Sequence, residues 1–476
     1  MHAGLFNNTE VHVYKIAVLM QPPGHQSMGT RKGKHHMKAD KTSPLTASLL
    51  PVAMVLTAIL ACGTTTEAQA DVASGDVVSR VNAEKAQDLV SPGILWAIRN
   101  GMDLNITDYK KISIPKLYSQ ATEKYSAQVS LDDRNMLKNY VAGRPFPTVD
   151  SNDPQAGVKV MHNFERTSYF TDDLSVHLPD ADTGGFYVDA KGQRNYNVER
   201  HFTVDWSRRL RMDGRLQHDP KPRFPDDENR DNIFAKFGFY PLIDPFDLKG
   251  VGSISYRYRD PDRMDDTWLY IPTIRRVRRM SSAQRSDALF GQDIDLDSFG
   301  GWAGHIAVMD WKLLGEKEML GSMHGENVPP KLCERDGGMT FCENWEKRPK
   351  VFVVEGVAHM PDYAYSKRVI YVDQETYMIV YSDMYDRAGE LWKTVIMSQR
   401  TSTKPNPNAD LEYDEERMFV YAFTVLDLQL EHGTRAAIPG FGFPDEAGWY
   451  IDIGWDDYNS VDGDWFTIAG LLAEGG

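Results

Sequence analysis

The chain has 476 residues, of which 41% are hydrophobic and 25% are charged, a composition typical of soluble globular proteins. Its formal net charge is −15, and residues 71–476 alone carry 47 basic and 65 acidic side chains. Because nucleic acids are bound through a positive field, this balance excludes nucleic acid as the partner of the protein as a whole.

The first 70 residues have the features of a targeting segment. Basic side chains between residues 31 and 41 precede an apolar run at residues 45–61, and the small-x-small sequence "AQA" ends at Ala70. The apolar run is short for a membrane span and contains Pro51. We therefore predict an N-terminal extension with a signal peptide over residues 1–70, cleavage before Asp71 and export to the periplasm.

Two alternatives remain open for this segment. The sequence "ILAC" ending at Cys62 is close to a lipoprotein cleavage box, which would make the protein an outer-membrane lipoprotein. Leu60 is bulky for the place it would occupy in that box, so cleavage after Ala70 is favoured. A start at Met28 or Met37 would give a signal peptide of more ordinary length.

Residues 71–476 are predicted to form one domain that begins with helices, over about residues 71–165. The stretch "LDDRNMLKNYVAG" follows Ser130, a candidate N-cap, and ends at Gly143, a typical C-terminal stop. A second helix is indicated by Asp153 as N-cap with Pro154 at the first helical position.

From about residue 183 to residue 432 the period of apolar residues changes to two, which predicts a sheet. In "HFTVDWSRRLRM" and in "SISYRYRD" apolar and polar side chains alternate, as in antiparallel strands with one face exposed to water. Roughly ten such strands in up-and-down order require a large sheet that curls or closes. Further strands are predicted at "TWLYIP", "HIAVMDWKLL", "KVFVVEGV", "RVIYVD", "YMIVYSDMYD", "ELWKTVIMS" and "MFVYAFTVLDLQL". The aromatic, acidic tail, residues 433–476, is predicted to be an ordered surface wrap or loop.

Two cysteines, Cys333 and Cys342, remain in the exported chain, with Gly337 and Gly338 between them. Nearby cysteines in an exported protein favour a disulfide, and two free thiols are the alternative. Their spacing fits no zinc site.

Catalytic and cofactor motifs are not found in the sequence. "DIDLDSFGG", residues 293–301, superficially resembles a calcium loop, but it lacks glycine at the sixth position and has Gly304 at the twelfth. A solvated acidic loop is the favoured interpretation. We therefore expect no metal, no cofactor and no catalytic residues, and a binding protein in place of an enzyme.

The fold class predicted is α+β: a large curved antiparallel sheet, preceded by helices that could cover its apolar face. A loose cover would leave an apolar cavity, so the physical prediction is a carrier for a hydrophobic small molecule or lipid. The alternative is that the same aromatic residues simply fill a core.

Three segments carry a family resemblance: "LKNYVAGRPFPTVDSNDPQAGVKV", "DDTWLYIPTIRRVRRM" and "VDQETYMIVYSDMYDRAGELWK". Together they resemble the bacterial family known as domain of unknown function 1329, which is similar to the lipoprotein-sorting proteins LolA and LolB. The resemblance implies a LolA/LolB-like fold, an unclosed half-barrel with helices covering its concave face. It also implies a place in the periplasm or at the outer membrane and lipid-like cargo. It also implies a transporter of the resistance–nodulation–division (RND) type as a partner, and it transfers no catalytic residue. The N-terminal extension and the insertion around the two cysteines depart from the family pattern.

Eight residues on the apolar strand faces are predicted to line the ligand site, on a parity of the strands that is itself an assumption: Phe202, Val204, Trp206, Ile254, Tyr256, Tyr258, Trp268 and Tyr270. Two other function classes remain as rivals. One is an envelope assembly or adaptor protein with a fully packed core and no ligand. The other is a hydrolase of envelope lipids or glycans, for which no acid–base pair is found.

The stretch "YIPTIRRVRRM" places arginines on both faces of a strand, so we predict that the strand leaves the covered part of the sheet at about Ile274. The favoured role of these arginines is a solvated strand end paired with some of the many acidic groups. The alternative is contact with an anionic lipid headgroup or with an acidic patch of a partner. The residues concerned are Arg275, Arg276, Arg278 and Arg279.

Overall fold

The structure is a computed structural model that describes residues 71–281, 284–440, 442, 448–454 and 463–474. The signal-peptide features and Cys62 lie outside the described residues. The helices are α1 Pro92–Arg99, α2 Lys116–Tyr125, α3 Ala156–Glu165 and α4 Ile468–Glu474. The strands are β1 Val77–Val78, β2 Leu104–Thr107, β3 Ser130–Leu131, β4 Leu137–Lys138, β5 Asp173–His177, β6 Asp180–Val188, β7 Arg194–Arg211, β8 Ile233–Asp244, β9 Gly252–Tyr258, β10 Asp266–Ile271, β11 Arg276–Arg279, β12 Met309–Gly321, β13 Asn344–Ala358, β14 Lys367–Asp373, β15 Ile379–Tyr385, β16 Leu391–Ser402, β17 Arg417–Asp427, β18 His432–Ala437 and β19 Gly448–Ile451.

Seventeen of these strands form one sheet. Strands β12 to β18 pair antiparallel in chain order, β18 then pairs with β6, and the sheet continues through β7, β8, β9 and β10 to β11. Within the described chain β11 and β12 do not pair with each other, so the sheet stays open. Only β2 runs parallel to its neighbour β13. The predicted α+β class, with a large, unclosed and mainly antiparallel sheet, is confirmed.

The tail predicted as a surface wrap or loop is partly built into the sheet. Strand β19 pairs with β5, and residues 463–474 pack on one face of β7–β10. Trp465 stacks on Tyr240 with ring centroids 4.0 Å apart. Trp465 and Phe466 are therefore core residues, because they cover a sheet face that would otherwise be exposed.

The helix predicted after Ser130 does not form, and the chain makes the hairpin β3–β4 there. The carboxylate of Asp132 accepts hydrogen bonds from the amides of Arg134 and Met136, at 2.9 and 2.8 Å. Asp side chains that bind nearby amides in this way favour turns over helices.

The helix predicted to begin at Pro154 begins two residues later, at Ala156. The Asp153 carboxylate accepts a hydrogen bond from the amide of Gln155 at 2.8 Å, and this turn precedes the first helical residue. The start of the helix was thus predicted within two residues.

The segment that carries the two cysteines is ordered by local contacts. Cys333 and Cys342 are joined by a disulfide with their Cα atoms 4.8 Å apart, which is consistent with the prediction.

Among the described residues, no helix is both long enough and apolar enough to cross a membrane.

Candidate ligand-binding cavity

A cavity with two adjoining lobes lies against the inner face of the sheet. The apolar lobe has a volume of about 210 Å³, and its walls include Phe202, Val204, Phe239, Leu242, Phe290, Met397, Phe423, Ile438 and Trp449. The polar lobe has a volume of about 190 Å³, and its walls include Glu165, Arg209, Arg211, Ser255, Arg257, Asp265, Thr267 and Arg285. Six residues border both lobes: Tyr169, Arg209, Phe237, Phe299, Gly300 and Val420.

Strand pairing places four side chains of the cavity wall in a row across β7, β8, β9 and β10. Arg209 on β7 is paired with Phe237 on β8, Phe237 with Ser255 on β9, and Ser255 with Thr267 on β10. The hydroxyls of Ser255 and Thr267 are 2.8 Å apart. Because paired residues of neighbouring strands project from the same face, the four side chains form one continuous strip.

Residues 284–304 cross the cavity as a cover. The ring of Phe299 lies 6.3 Å from that of Phe237, and Trp302 makes an edge contact with Trp311 at 5.2 Å between ring centroids. Gly301, with φ of 88°, lies where a Cβ atom would collide with Ile379. The cover therefore packs on β8 and also on β12 and β15.

Buried acid groups fasten this cover, although the sequence favoured a solvated acidic loop for the same residues. Asp293 binds His432 at 2.8 Å, Asp295 binds Arg368 at 3.3 Å, and Asp297 binds Arg285 at 2.7 Å. All three acids are at most 5% exposed. The solvated-loop prediction is wrong because each carboxylate finds a cationic partner inside the fold. No cluster of residues within the described ranges has the make-up of a metal site.

The helices contribute less to the cover than the sequence suggested. Helix α1 contacts Thr394 on β16, whereas Met397 of the same strand lines the apolar lobe. These two residues are three apart in a regular strand, so they project from opposite faces, and α1 lies on the face away from the cavity. Only the end of α3, at Phe164 and Glu165, reaches the polar lobe.

Two arginines of the polar lobe are neutralised by acids. Arg257 binds Asp265 at 2.7 Å and donates hydrogen bonds to two backbone carbonyls, while Arg285 lies 3.4 Å from the same carboxylate. Burial favours the neutral form of Asp265, but the two guanidinium groups outweigh it and lower the pKa of Asp265 to about 2. This acid is therefore ionised and its charge is used within the protein.

Two further arginines on the inner face of β7 have no carboxylate partner in the described part of the chain. Arg211 donates a hydrogen bond to the backbone carbonyl of Glu165 at 2.7 Å. Arg209 makes no hydrogen bond or ion pair there, and its guanidinium lies 5.1 Å from the centre of the Phe237 ring. Burial, together with the charges of Arg257 and Arg211, lowers the pKa of Arg209 to about 10, so it stays charged at neutral pH.

The structure divides the eight predicted lining residues between two faces. Phe202 and Val204 line the apolar lobe. The other six pack on the opposite face, with Trp465 and Phe466 of the C-terminal segment: Trp206, Ile254, Tyr256, Tyr258, Trp268 and Tyr270. Ligand contact by any of the eight stays a prediction.

A change of face within β7 explains part of this division. Val204 and Ser207 both line the cavity although they are three residues apart, so the alternation of faces is interrupted between them. The pairing of β7 with β8 also shifts register nearby, between Thr203 and Val204. Such irregularities re-aim the side chains that follow.

The four clustered arginines lie on an exposed hairpin at the edge of the sheet. Strand β10 ends at Ile271, Arg275 adopts a left-handed conformation with φ of 48°, and β11 returns along β10. The strand thus reverses direction, three residues before the predicted exit at Ile274. Arg279 forms an ion pair with Asp266, as expected for a solvated strand end. Arg275, Arg276 and Arg278 are exposed and do not line the cavity.

Sequence analysis missed Arg209, Arg211 and Ser255, which lie on the polar faces of predicted strands, and Phe237, which lies on β8, a strand that was not predicted. A signal for the first two is present in "SRRLR", where three arginines lie in the last four residues of β7. Clustered charged residues in a strand are costly unless they face water or a polar site.

Among curated proteins, no relative matches the sequence. The structure is similar to a domain from Vibrio parahaemolyticus named as an outer-membrane lipoprotein-sorting protein, with 15% identity, a TM-score of 0.42 and coverage of 67% of this chain and 100% of the other. A DUF1329 family protein from Desulfovibrio piger gives 18% identity, a TM-score of 0.41 and the same coverages. A LolA superfamily protein from Nitrosomonas europaea gives 12% identity and a TM-score of 0.33, and covers 63% of this chain and 92% of the other.

The family assignment comes from the sequence itself. The model of the family described as protein of unknown function DUF1329 matches residues 77–440, which is more than half of the chain and contains every strand from β1 to β18. The chain therefore belongs to the DUF1329 family.

Proposed function

We propose that the protein is a carrier, in the periplasm or at the outer membrane, that shields a lipid-like or other hydrophobic ligand in its cavity. The observation that carries the proposal is the apolar lobe of about 210 Å³ between the sheet and residues 284–304. An apolar cavity of roughly 150 Å³ is already large enough to take up benzene or xenon, so this lobe has room for a ring or a length of acyl chain.

The chemistry of the wall fits binding without reaction. Aromatic and aliphatic side chains line the apolar lobe, and burial of an apolar ligand against them is favourable without any catalytic group. The charged groups are concentrated in the polar lobe, where they would orient a ligand.

The alternative of an adaptor protein with no ligand requires a fully packed core, whereas this core contains two adjoining lobes. We also propose that the protein delivers its ligand to an RND-type transporter or receives it from one. Co-purification of such a transporter with the ligand-loaded protein, and its loss from the empty protein, would support it.

The test of the carrier function is direct. The protein is purified from its native host, extracted with organic solvent, and the extract is analysed by mass spectrometry. In parallel, the emptied protein is titrated with an environment-sensitive apolar dye. We expect a bound lipid-like molecule and saturable dye uptake. Absence of both would refute the proposal.

A matched control separates cavity binding from surface binding. Phe246 is 89% exposed and does not line either lobe. Phe246→Ala should leave dye uptake unchanged. Loss of uptake in this variant would place the dye on the surface.

A further inference from the structure

We propose that the ligand is an anionic amphiphile, whose carboxylate or phosphate group binds Arg209 while its apolar chain occupies the apolar lobe. This inference rests on the proposed carrier function and deepens it. The carrier proposal needs only an apolar lobe, whereas the inference assigns a chemical class to the ligand and a role to one side chain.

The position of Arg209 is the first observation. It borders both lobes, so a group bound to it lies where a polar head meets an apolar chain. On one side of it along β7, Ser207 and Val204 lead into the apolar lobe; on the other, Arg211 leads into the polar lobe. The wall therefore changes from apolar to cationic at Arg209.

The second observation is that this charge is not compensated within the described residues. The two carboxylates of the polar lobe are already engaged: Asp265 with Arg257 and Arg285, and Glu165 with Arg166 at 3.7 Å. The hydroxyl of Tyr169 borders both lobes but is neutral, because burial raises its pKa well above the usual value. A guanidinium in such surroundings is costly unless a charge or hydrogen-bond acceptor reaches it.

The third observation is the positive electrostatic potential around Arg209. Arg211 lies two residues from Arg209 on the same face, also without a carboxylate partner in the described part of the chain, and its charge contributes to the lowered pKa of Arg209. Like charges gathered in a poorly solvated site are relieved by an anion. A guanidinium offers two parallel N–H donors, which match the oxygens of a carboxylate or a phosphate.

The Phe237 ring beside the guanidinium adds orientation. Its centre lies 5.1 Å from the Arg209 guanidinium and 6.3 Å from the centre of the Phe299 ring in the cover, so the ring contacts both side chains. Stacking on an aromatic face leaves the donors at the edge of the guanidinium available for a ligand.

The experiment compares ligands that share a chain and differ in the head. The full-length protein, emptied of lipid and loaded with the apolar dye, is titrated with dodecanoate, dodecyl phosphate, dodecanol and inorganic phosphate. We expect the two anionic amphiphiles to displace the dye at concentrations roughly ten-fold or more below dodecanol, the ratio that a charge-assisted hydrogen bond supports. Inorganic phosphate, which has no chain, should not displace it.

Variants assign the preference to Arg209. Arg209→Met should lose the preference for dodecanoate over dodecanol, whereas Arg209→Lys should retain a preference. The matched control is Arg200→Gln, on the same strand, where the arginine forms a partly exposed ion pair with Asp247 at 2.7 Å. It should bind all four compounds like the wild type.

Each other outcome has a defined meaning. Equal binding of dodecanoate and dodecanol by the wild type overturns the inference and leaves the carrier function standing, and this comparison does not depend on a variant that folds. Displacement of the dye by inorganic phosphate alone identifies a free-anion site and also overturns the inference. If dodecanoate, dodecyl phosphate and dodecanol all fail to bind, the carrier function itself fails.

Discussion

The amide of Gly93, in the first turn of α1, donates a hydrogen bond to the Asp383 carboxylate on β15 at 3.1 Å. Ser91, which caps the same helix, donates to Asp383 as well, at 3.1 Å, and Thr394 on β16 donates at 2.7 Å. One buried carboxylate thus joins a helix N-terminus to two central strands, on the face of the sheet away from the cavity.

The approach of α1 depends on glycine at position 93. A Cβ atom there would collide with the side chains of Asp383 and Thr394. We expect Gly93→Ala to lower the free energy of unfolding by about 1–3 kcal/mol, the usual cost of overpacking a core, measured by denaturant unfolding. Gly185→Ala is the control, because a Cβ atom there meets only ordinary contacts. A Gly93→Ala variant as stable as the wild type would mean that α1 does not dock as described.

The same carboxylate should make stability depend on pH. Burial raises the pKa of Asp383 to about 6, against 3.8 in an unfolded chain. The folded state therefore binds more protons between these two values, and stability falls as pH rises from about 4 to about 6, by roughly 3 kcal/mol for this group. Stability curves of Asp383→Asn should lack this part of the slope.

Wild type and Asp383→Asn must be compared because burial also raises the pKa of Asp336, to about 6. Asp336 therefore makes stability fall with rising pH over the same range. The difference between wild type and Asp383→Asn, measured at a series of pH values, isolates Asp383. A difference that does not change with pH would contradict the assignment.

Arg348 holds three acids together in the core of the sheet. It lies within 2.8 Å of both Glu346 and Asp373, and within 2.5 Å of Glu375. Arg348→Met would leave the buried carboxylates of Glu346 and Asp373 without their guanidinium partner, and we expect a loss of about 3–5 kcal/mol in unfolding free energy. Arg335→Gln is the control, because its ion pair with Asp103 is exposed and should be worth about 1 kcal/mol or less. Similar losses of unfolding free energy in Arg348→Met and Arg335→Gln would show that burial of the Arg348 ion pairs does not increase their contribution to stability.

Filling the cavity should reduce ligand uptake. Val420 on β17 borders both lobes, and Val420→Phe would extend a ring into the space between them. We expect a several-fold weaker affinity for the apolar dye with at most about 1–3 kcal/mol loss of stability. Val198→Phe, at an exposed position on β7, should leave both quantities unchanged. Unaltered uptake by Val420→Phe would place the dye elsewhere.

Local sequence patterns were sufficient for the class of fold but not for the face that lines the cavity. Alternation in "SISYRYRD" separates Ile254, Tyr256 and Tyr258 from Ser255 and Arg257, and the structure keeps this separation. Which set faces the cavity depends on residues 463–474, which are distant in sequence and cover the apolar set. Alternation carries no information about such a long-range contact.

The loop at residues 293–301 illustrates the same limit. Three acids at alternate positions look like a solvated or metal-binding loop when their partners are unknown. Those partners, His432, Arg368 and Arg285, come from three separate places in the chain. Tertiary pairing therefore reversed the expected exposure, whereas the hairpin at β3–β4 was missed for a local reason, the turn chemistry of Asp132.

The ion pairs that fasten residues 284–304 have a kinetic consequence. A ligand that left the apolar lobe by displacing this cover would first have to break buried pairs to β14 and β18, together with the aromatic contacts of Phe299 and Trp302. Each broken pair leaves a buried charge uncompensated. Spontaneous exit of the proposed ligand by this route would therefore be slow, and its residence time would be set by whatever partner or membrane surface first loosens those pairs.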